Sequence, residues 1–187
     1  MQKLKRCTWP ADDPLMLAYH DREWGVPTHN DKKIFEFLVL ESAQAGLSWR
    51  TILYKRENYR NAFANFDVDK VARFTARDVA RLLKDAGIVR NRLKIEAAIN
   101  NAKKFLAIQK EFGSFSKYSW QFVGGEPVRH TIRKVGDYPV MIKEAVAFSA
   151  DLKLRGFKFL GPTTIYAHMQ AVGMVNDHMT GCFRRQK

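Results

Sequence analysis

Cysteine is scarce in this chain, long apolar runs are missing and acidic residues are in the minority; each shortage removes a class of protein. Only Cys7 and Cys182 occur, at opposite ends of the 187 residues. Two cysteines do not make the framework of a disulfide-stapled secreted domain, so an intracellular, reducing, cytoplasmic setting is expected. No stretch approaches the ~20 apolar residues that cross a bilayer. The start, MQKLKRCTWPADD, is basic but has no apolar segment behind it, so secretion is not indicated. No internal repeat, low-complexity segment or hairpin-forming strand pattern is present. What remains is a chain of 46% apolar residues, enough for one large domain or two small lobes around a substantial core. Its 32 Lys and Arg against 19 Asp and Glu give a net charge of +13. That surplus favours a polyanionic partner, nucleic acid or an anionic membrane surface, and charge alone does not separate the two.

The periodicity is helical nearly throughout. Residues 31–45 put Ile34, Leu38 and Ala45 on one stripe, widened by Phe35, Phe37 and Leu40, with Gly46 as the stop. Ser48 can cap a helix from Trp49 to about Phe63. Thr75 and Asp78 form a capping-box pattern opening a short helix through Leu83, ended by Gly87. From Asn91 to Phe112 the spacing of Leu93, Ala97, Ala98, Ala102, Phe105 and Leu106 predicts a long amphipathic helix. Residues 113–139, rich in glycine and proline, read as loop. A helix from about Val140 to Arg155 stops at Gly156, and Pro162 opens another that ends near Gly173.

Three features carry chemistry. The turn between the last two helices, Gly156 to Gly161, exposes backbone N–H groups at a helix N-terminus, where a DNA phosphate can be held; Lys153, Arg155 and Lys158 add attraction. Two packed helices joined by a glycine turn also occur in any helical bundle. A weaker case of the same pattern runs from Asp85 to Lys94. Second, Glu41 falls on the stripe of Ile34, Phe37 and Leu38. A buried carboxylate is costly unless it is protonated or hydrogen-bonded, so Glu41 either pairs with an Arg or Lys or lies in a pocket and accepts hydrogen bonds from a ligand. Trp9, Tyr19, Trp24 and Trp49 are aromatics of the kind that stack on an extruded base, or else they are core. Third, Cys7 and His20 near the start and His178 and Cys182 near the end make a two-sulfur, two-nitrogen set suited to structural zinc. A buried free cysteine and a surface histidine are the plainer account.

Taken together, Cys7-Thr8-Trp9 and the stretches 13–27, 40–60, 85–97 and 155–182 resemble the DNA-3-methyladenine glycosylase I family over almost the whole chain. The resemblance implies an all-α helix-hairpin-helix glycosylase fold, one catalytic unit over residues 1–187. One helical lobe would come largely from the middle of the chain and a second from the two terminal parts, with the hairpin around 145–173. It implies zinc ligands at Cys7, His20, His178 and Cys182, a base-contacting and catalytic carboxylate at Glu41, and a base pocket of Tyr19, Trp24, Trp49 and Glu41. DNA contacts are implied at Lys158, Phe159, Leu160, Gly161 and Thr163. Met16 stands where a second pocket tyrosine is expected. The implied reaction is hydrolysis of the N-glycosidic bond of N3-methyladenine in double-stranded alkylated DNA by a monomer that leaves an abasic site. Thr163 and Thr164 follow the hairpin where lyase-active relatives carry a lysine, so no Schiff-base chemistry is expected. Asp177 lies near where other helix-hairpin-helix glycosylases carry an aspartate, but its neighbour is His178, and a supporting role fits it equally well.

Overall fold

The computed structural model describes residues 4–185. Ten α-helices run through the described residues: α1 Pro14–Arg22, α2 Asp31–Gln44, α3 Trp49–Tyr54, α4 Arg56–Ala62, α5 Val68–Ala72, α6 Ala76–Lys84, α7 Arg92–Phe112, α8 Phe115–Trp120, α9 Lys143–Leu154 and α10 Pro162–Ala171. Two short strands, β1 Val128–Arg129 and β2 Val175–Asn176, pair in parallel with Val128 opposite Val175. The mostly helical architecture agrees with the sequence. The parallel pair, two residues long in each strand, is too short to leave a periodicity.

α2 is the central element. The sequence suggests one apolar stripe, but every residue from Ile34 to Ala43 is buried, and Ala45 is exposed beyond the helix end. A helix buried all round lies inside the core, with neighbours on every side; α3, α7, α8 and α10 all pack against it. Its ends are tied by side chains. Asn30 caps the first turn through the Lys33 amide, and the Asp31 carboxylate accepts from the amides of Phe115 and Ser116 at 2.8 Å, holding the start of α8. At the other end the Lys94 ammonium donates to the carbonyls of Ala43 and Ala45, at 2.8 and 2.6 Å. These carbonyls have no partner within the helix, so a cation satisfies them and complements the helix dipole.

Several boundaries differ from expectation for identifiable reasons. The helix anticipated over 49–63 breaks at Lys55, whose ammonium reaches the carbonyls of Ala86 and Gly87. Arg56 beside it turns inward to Glu23 and Glu36. Within the segment read as loop, Ser114 caps α8, and Phe115 stacks on Phe105 with ring centroids 4.0 Å apart. Leu93, assigned to the apolar stripe of α7, is exposed. The capping box of Thr75 and Asp78 is present.

After α10 the chain runs back toward its own beginning. β2 pairs with β1, Met179 bridges Ile132, and the Phe183 amide donates to the Lys5 carbonyl at 2.9 Å. These backbone contacts bring Cys182 to Cys7.

Candidate active site and metal cluster

A cavity of about 640 Å³ opens between α1, α2, α3, α10 and the segment around Tyr138. That volume leaves more than enough room for a single planar base. Trp9, Tyr19, Trp24, Glu41 and Trp49 all line it, so the sequence-proposed pocket residues are brought together. Their rings interlock: Trp9 is 5.1 Å from Trp24 and Tyr19 is 5.2 Å from Trp49, centroid to centroid. The indole N–H groups of Trp9 and Trp49 are buried with no hydrogen-bond partner. Buried donors without a partner are costly, and both rings belong to the cavity lining. Met16 is buried in the core on α1 and does not line the cavity, so no pocket wall is missing there.

Glu41 is 5% exposed and makes no hydrogen bond or ion pair among the described residues. Burial pushes its carboxyl from the ordinary 4.5 up to about 8. Burial therefore favours the neutral acid of Glu41 at pH 7. Burial, and then the nearby Glu41, raise the Tyr19 phenol well above its ordinary range, so Tyr19 keeps its proton.

The opposite wall is one face of α10. Thr163, Tyr166, Ala167 and Gln170 follow helical spacing and all line the cavity. The same helix starts at the hairpin, so the turn and the cavity share one rigid element. Thr163, expected to touch DNA, stands at the cavity wall. Sequence reasoning did not single out Tyr138, Tyr166, Gln44 or Gln170; for the α10 residues the i, i+3, i+4, i+7 spacing after Pro162 was the available signal.

The hairpin itself is held from behind. Asn101 accepts from the Lys158 amide and donates to the Lys158 carbonyl, both at 2.8 Å. Asn100 donates to the Gly156 carbonyl, and the Ser149 hydroxyl to the Leu160 carbonyl. Phe159 is 41% exposed and adopts φ +57°, a left-handed conformation that a non-glycine residue takes at some cost. Gly161 has open space where a side chain would be, leaving the start of α10 accessible to a phosphate. Lys158 is exposed. Leu160 is 6% exposed: its side chain belongs to the core, and only its backbone belongs to the turn.

At the chain ends, Cys7, His20 and Cys182 present ligand atoms within 4.8 Å of one another. The His178 ring is 5.0 Å from that of His20, and its Nε2 is buried without a partner. Each imidazole is steadied through Nδ1, His20 by Asp21 at 2.8 Å and His178 by Asn176 at 2.9 Å. An oxygen behind each ring is the usual support of a metal-bound histidine. The Met179 amide donates to the Cys7 sulfur at 3.3 Å. The neighbouring Cys7 thiol, then His20, draw Cys182 down against the effect of burial, while Cys182 and burial in turn push Cys7 up, so the pair shares one proton. Burial lowers His178 to about 4, keeping it neutral. Gly25 lets the chain pass this close: a side chain there would meet the His178 ring at 2.7 Å. Cys7, His20 and Cys182 thus form a buried group of a kind that can hold a metal ion, and His178, outside that group, stands beside it with a ring nitrogen lacking a partner.

Asp177, adjacent to His178, is buried and does not line the cavity. Its carboxylate accepts from His130 Nδ1 and Gln170 Nε2, both at 2.7 Å, and from the Tyr166 hydroxyl.

Comparison with known proteins points one way. The methyladenine glycosylase family model matches residues 9–185. The DNA-3-methyladenine glycosylase 1 of Escherichia coli K12 is 48% identical over 179 residues, 96% of each chain. A crystal structure of 3-methyladenine DNA glycosylase I superposes with a TM-score of 0.93 at 48% identity, covering 96% of this chain and 99% of that one. A tyrosine-to-phenylalanine variant of 3-methyladenine DNA glycosylase I, in complex with 3-methyladenine, gives 0.94 at 41% identity, covering 97% and 98%.

Proposed function

This chain belongs to the methyladenine glycosylase family, and from that premise we propose that it hydrolyses the N-glycosidic bond of N3-methyladenine in double-stranded alkylated DNA, releasing the base and leaving an abasic site. The observation that carries the reading is Glu41, a buried and unpaired carboxyl group in the lining of an aromatic cavity.

The cationic base is already a good leaving group, so the protein needs to extrude, hold and release it rather than protonate it strongly. Flipping costs a few kcal/mol, less for damaged bases. Stacking against Trp49, Tyr19 and Trp24 returns roughly 1–3 kcal/mol. Arrival of a positive charge favours the ionised form of Glu41, which gives up its proton to solvent and then accepts from the exocyclic amine. As the glycosidic bond breaks, the base takes the bonding pair and leaves neutral. Positive charge moves to the sugar, water attacks C1′, and the proton it loses passes to solvent. Glu41 must not bind the cation too tightly, since ground-state stabilisation slows cleavage. Among the described residues no lysine lines the cavity, which supports hydrolysis without lyase activity.

DNA is gripped at the hairpin by Lys158, exposed Phe159 and the open backbone of Gly161, with Thr163 at the junction of turn and cavity. Leu160 contributes through its backbone alone. The remaining assignments follow the family: a cytoplasmic monomer whose two lobes are built from the middle and from the ends of the chain. Cys7, His20, His178 and Cys182 would hold one zinc ion; with four protein ligands its role is to tie the termini together, with no coordination position left for water.

The test is chromatography of free bases released from methylated duplex DNA. Release of 3-methyladenine is expected, and retention of all methylated purines would reduce the chain to a DNA-binding module. Metal analysis of the same preparation should give about one zinc per chain. Cys182→Ser should lower both metal content and thermal stability.

A further inference from the structure

We propose that Asp177 is a positioning residue that decides which atoms Tyr166 and Gln170 present to the base, making their face of α10 a wall of hydrogen-bond acceptors. The inference rests on the reading of the cavity as a base pocket and concerns how that pocket suits a cationic ligand.

The argument is one of donors and acceptors. Asp177 presents its carboxyl oxygens as acceptors, and Tyr166 and Gln170 turn their donors toward Oδ2. The Gln170 amide nitrogen lies 2.7 Å from that oxygen, which fixes the orientation of an otherwise reversible side chain. Its Oε1 makes no hydrogen bond among the described residues, and Gln170 lines the cavity. Tyr166 has a single proton and commits it to the same Oδ2, leaving lone pairs on its oxygen. His130 Nδ1 occupies Oδ1 at 2.7 Å and completes the carboxylate. Asp177 does not itself line the cavity, so it reaches a bound base only through Tyr166 and Gln170.

Among the other lining residues, Trp9 and Trp49 carry indole N–H donors that have no partner. A methylated adenine has acceptor nitrogens on its ring and a charged, donor-bearing edge. A cavity with fixed donors and fixed acceptors orients such a base, whereas an uncommitted Gln170 would offer either end of its amide.

A double-mutant cycle tests this, because coupling through Asp177 makes effects non-additive whereas a purely structural role does not. Gln170→Met and Tyr166→Phe keep shape and remove the polar atoms. Each should slow single-turnover excision of 3-methyladenine by about tenfold, the worth of one hydrogen bond, with affinity for undamaged duplex unchanged. Asp177→Asn should cost at least as much alone, yet add nothing in the Gln170→Met, Tyr166→Phe background. Full activity in both cavity variants, or an additive Asp177→Asn effect, overturns the proposal. Should Asp177→Asn not fold, the two cavity variants decide the question by themselves. Binding of free 3-methyladenine, followed by tryptophan fluorescence, is the parallel readout: a tenfold loss in Gln170→Met is expected, and unchanged binding counts against the proposal. If the wild type binds the free base but cuts nothing, the glycosylase reading fails while this one is still measured.

Discussion

Glu36 and Glu41 lie little more than one turn apart on α2, both buried, and their surroundings are opposite. Glu36 accepts from Arg56 at 2.8 Å and Arg60 at 3.0 Å, while Arg56 also clasps Glu23 with two parallel bonds at 2.7 and 2.9 Å. Glu41 has no such partner. Burying an ion is tolerable when its charge and lone pairs are matched and expensive when they are not. One end of α2 thus uses its carboxylate to hold α1, α2 and α4 together. The other end leaves a carboxyl group unsatisfied where a ligand can satisfy it. Burial alone did not distinguish them; the partner did.

The comparison breaks most visibly at Arg56. Arg56→Met removes the guanidinium shared by Glu23 and Glu36, leaving Glu36 only Arg60 and Glu23 only its ion pair with Lys33 at 3.3 Å. Unfolding in urea should show a loss of about 3 kcal/mol, the scale for stripping one partner from a buried ion pair. Excision, normalised to the folded fraction, should change little. A loss of activity without a loss of stability would mean that the Glu36 cluster belongs to the site after all.

Glu41 should respond in the opposite sense. Its carboxyl group is at about 8 in the folded protein and near 4.5 when unfolded. The folded state holds the proton more tightly, so stability from this group is complete below pH 4.5 and is lost as pH rises through 8. Glu41→Gln does not titrate. The variant should therefore gain on the wild type by up to roughly 1.4 kcal/mol per pH unit between those values, levelling off above pH 8, while excision falls. Parallel denaturation curves at pH 5, 7 and 9 measure the gap. A constant gap would show that burial does not govern the group.

The sequence made much of this legible, unevenly. The helices with chemical punctuation at their ends, such as α7 between Asn91 and Gly113 and α6 after Thr75, could be read from local signals. Glu41 was visible as a carboxylate among apolar residues, and the four candidate metal ligands by residue type and resemblance. The single stripe proposed for α2 was wrong because a helix buried on all sides has no polar face to define one. The break at Lys55 and the rise of α8 out of the loop depend on Glu23, Glu36 and Asp31, partners remote in sequence. Asn101 and Tyr166 were opaque for the same reason: each acts through an atom whose partner only the fold supplies, and Asp177 was noticed without the partners that give it a role.

The smallest expected effect concerns the hairpin and separates geometry from charge. Asn101 is buried, carries no charge and grips both the amide and the carbonyl of Lys158. Asn101→Ala leaves that amide and carbonyl unsatisfied and releases the turn in which Phe159 holds its positive φ. A loss of roughly 1–2 kcal/mol in affinity for duplex DNA is expected from the unpaired groups and the freed loop. No phosphate-neutralising charge is removed, so the slope of log affinity against log salt should stay as in the wild type. Lys158→Ala should do the reverse, reducing that slope by about one for each phosphate the lysine neutralises while leaving the turn intact. Measured across a salt series, the line for Asn101→Ala should run parallel to the wild type, and that for Lys158→Ala should converge on it at high salt. If both variants lower the slope, Asn101 acts by steering the lysine rather than by holding the backbone. If neither does, Lys158 makes no phosphate contact and the grip on DNA lies elsewhere on the basic surface.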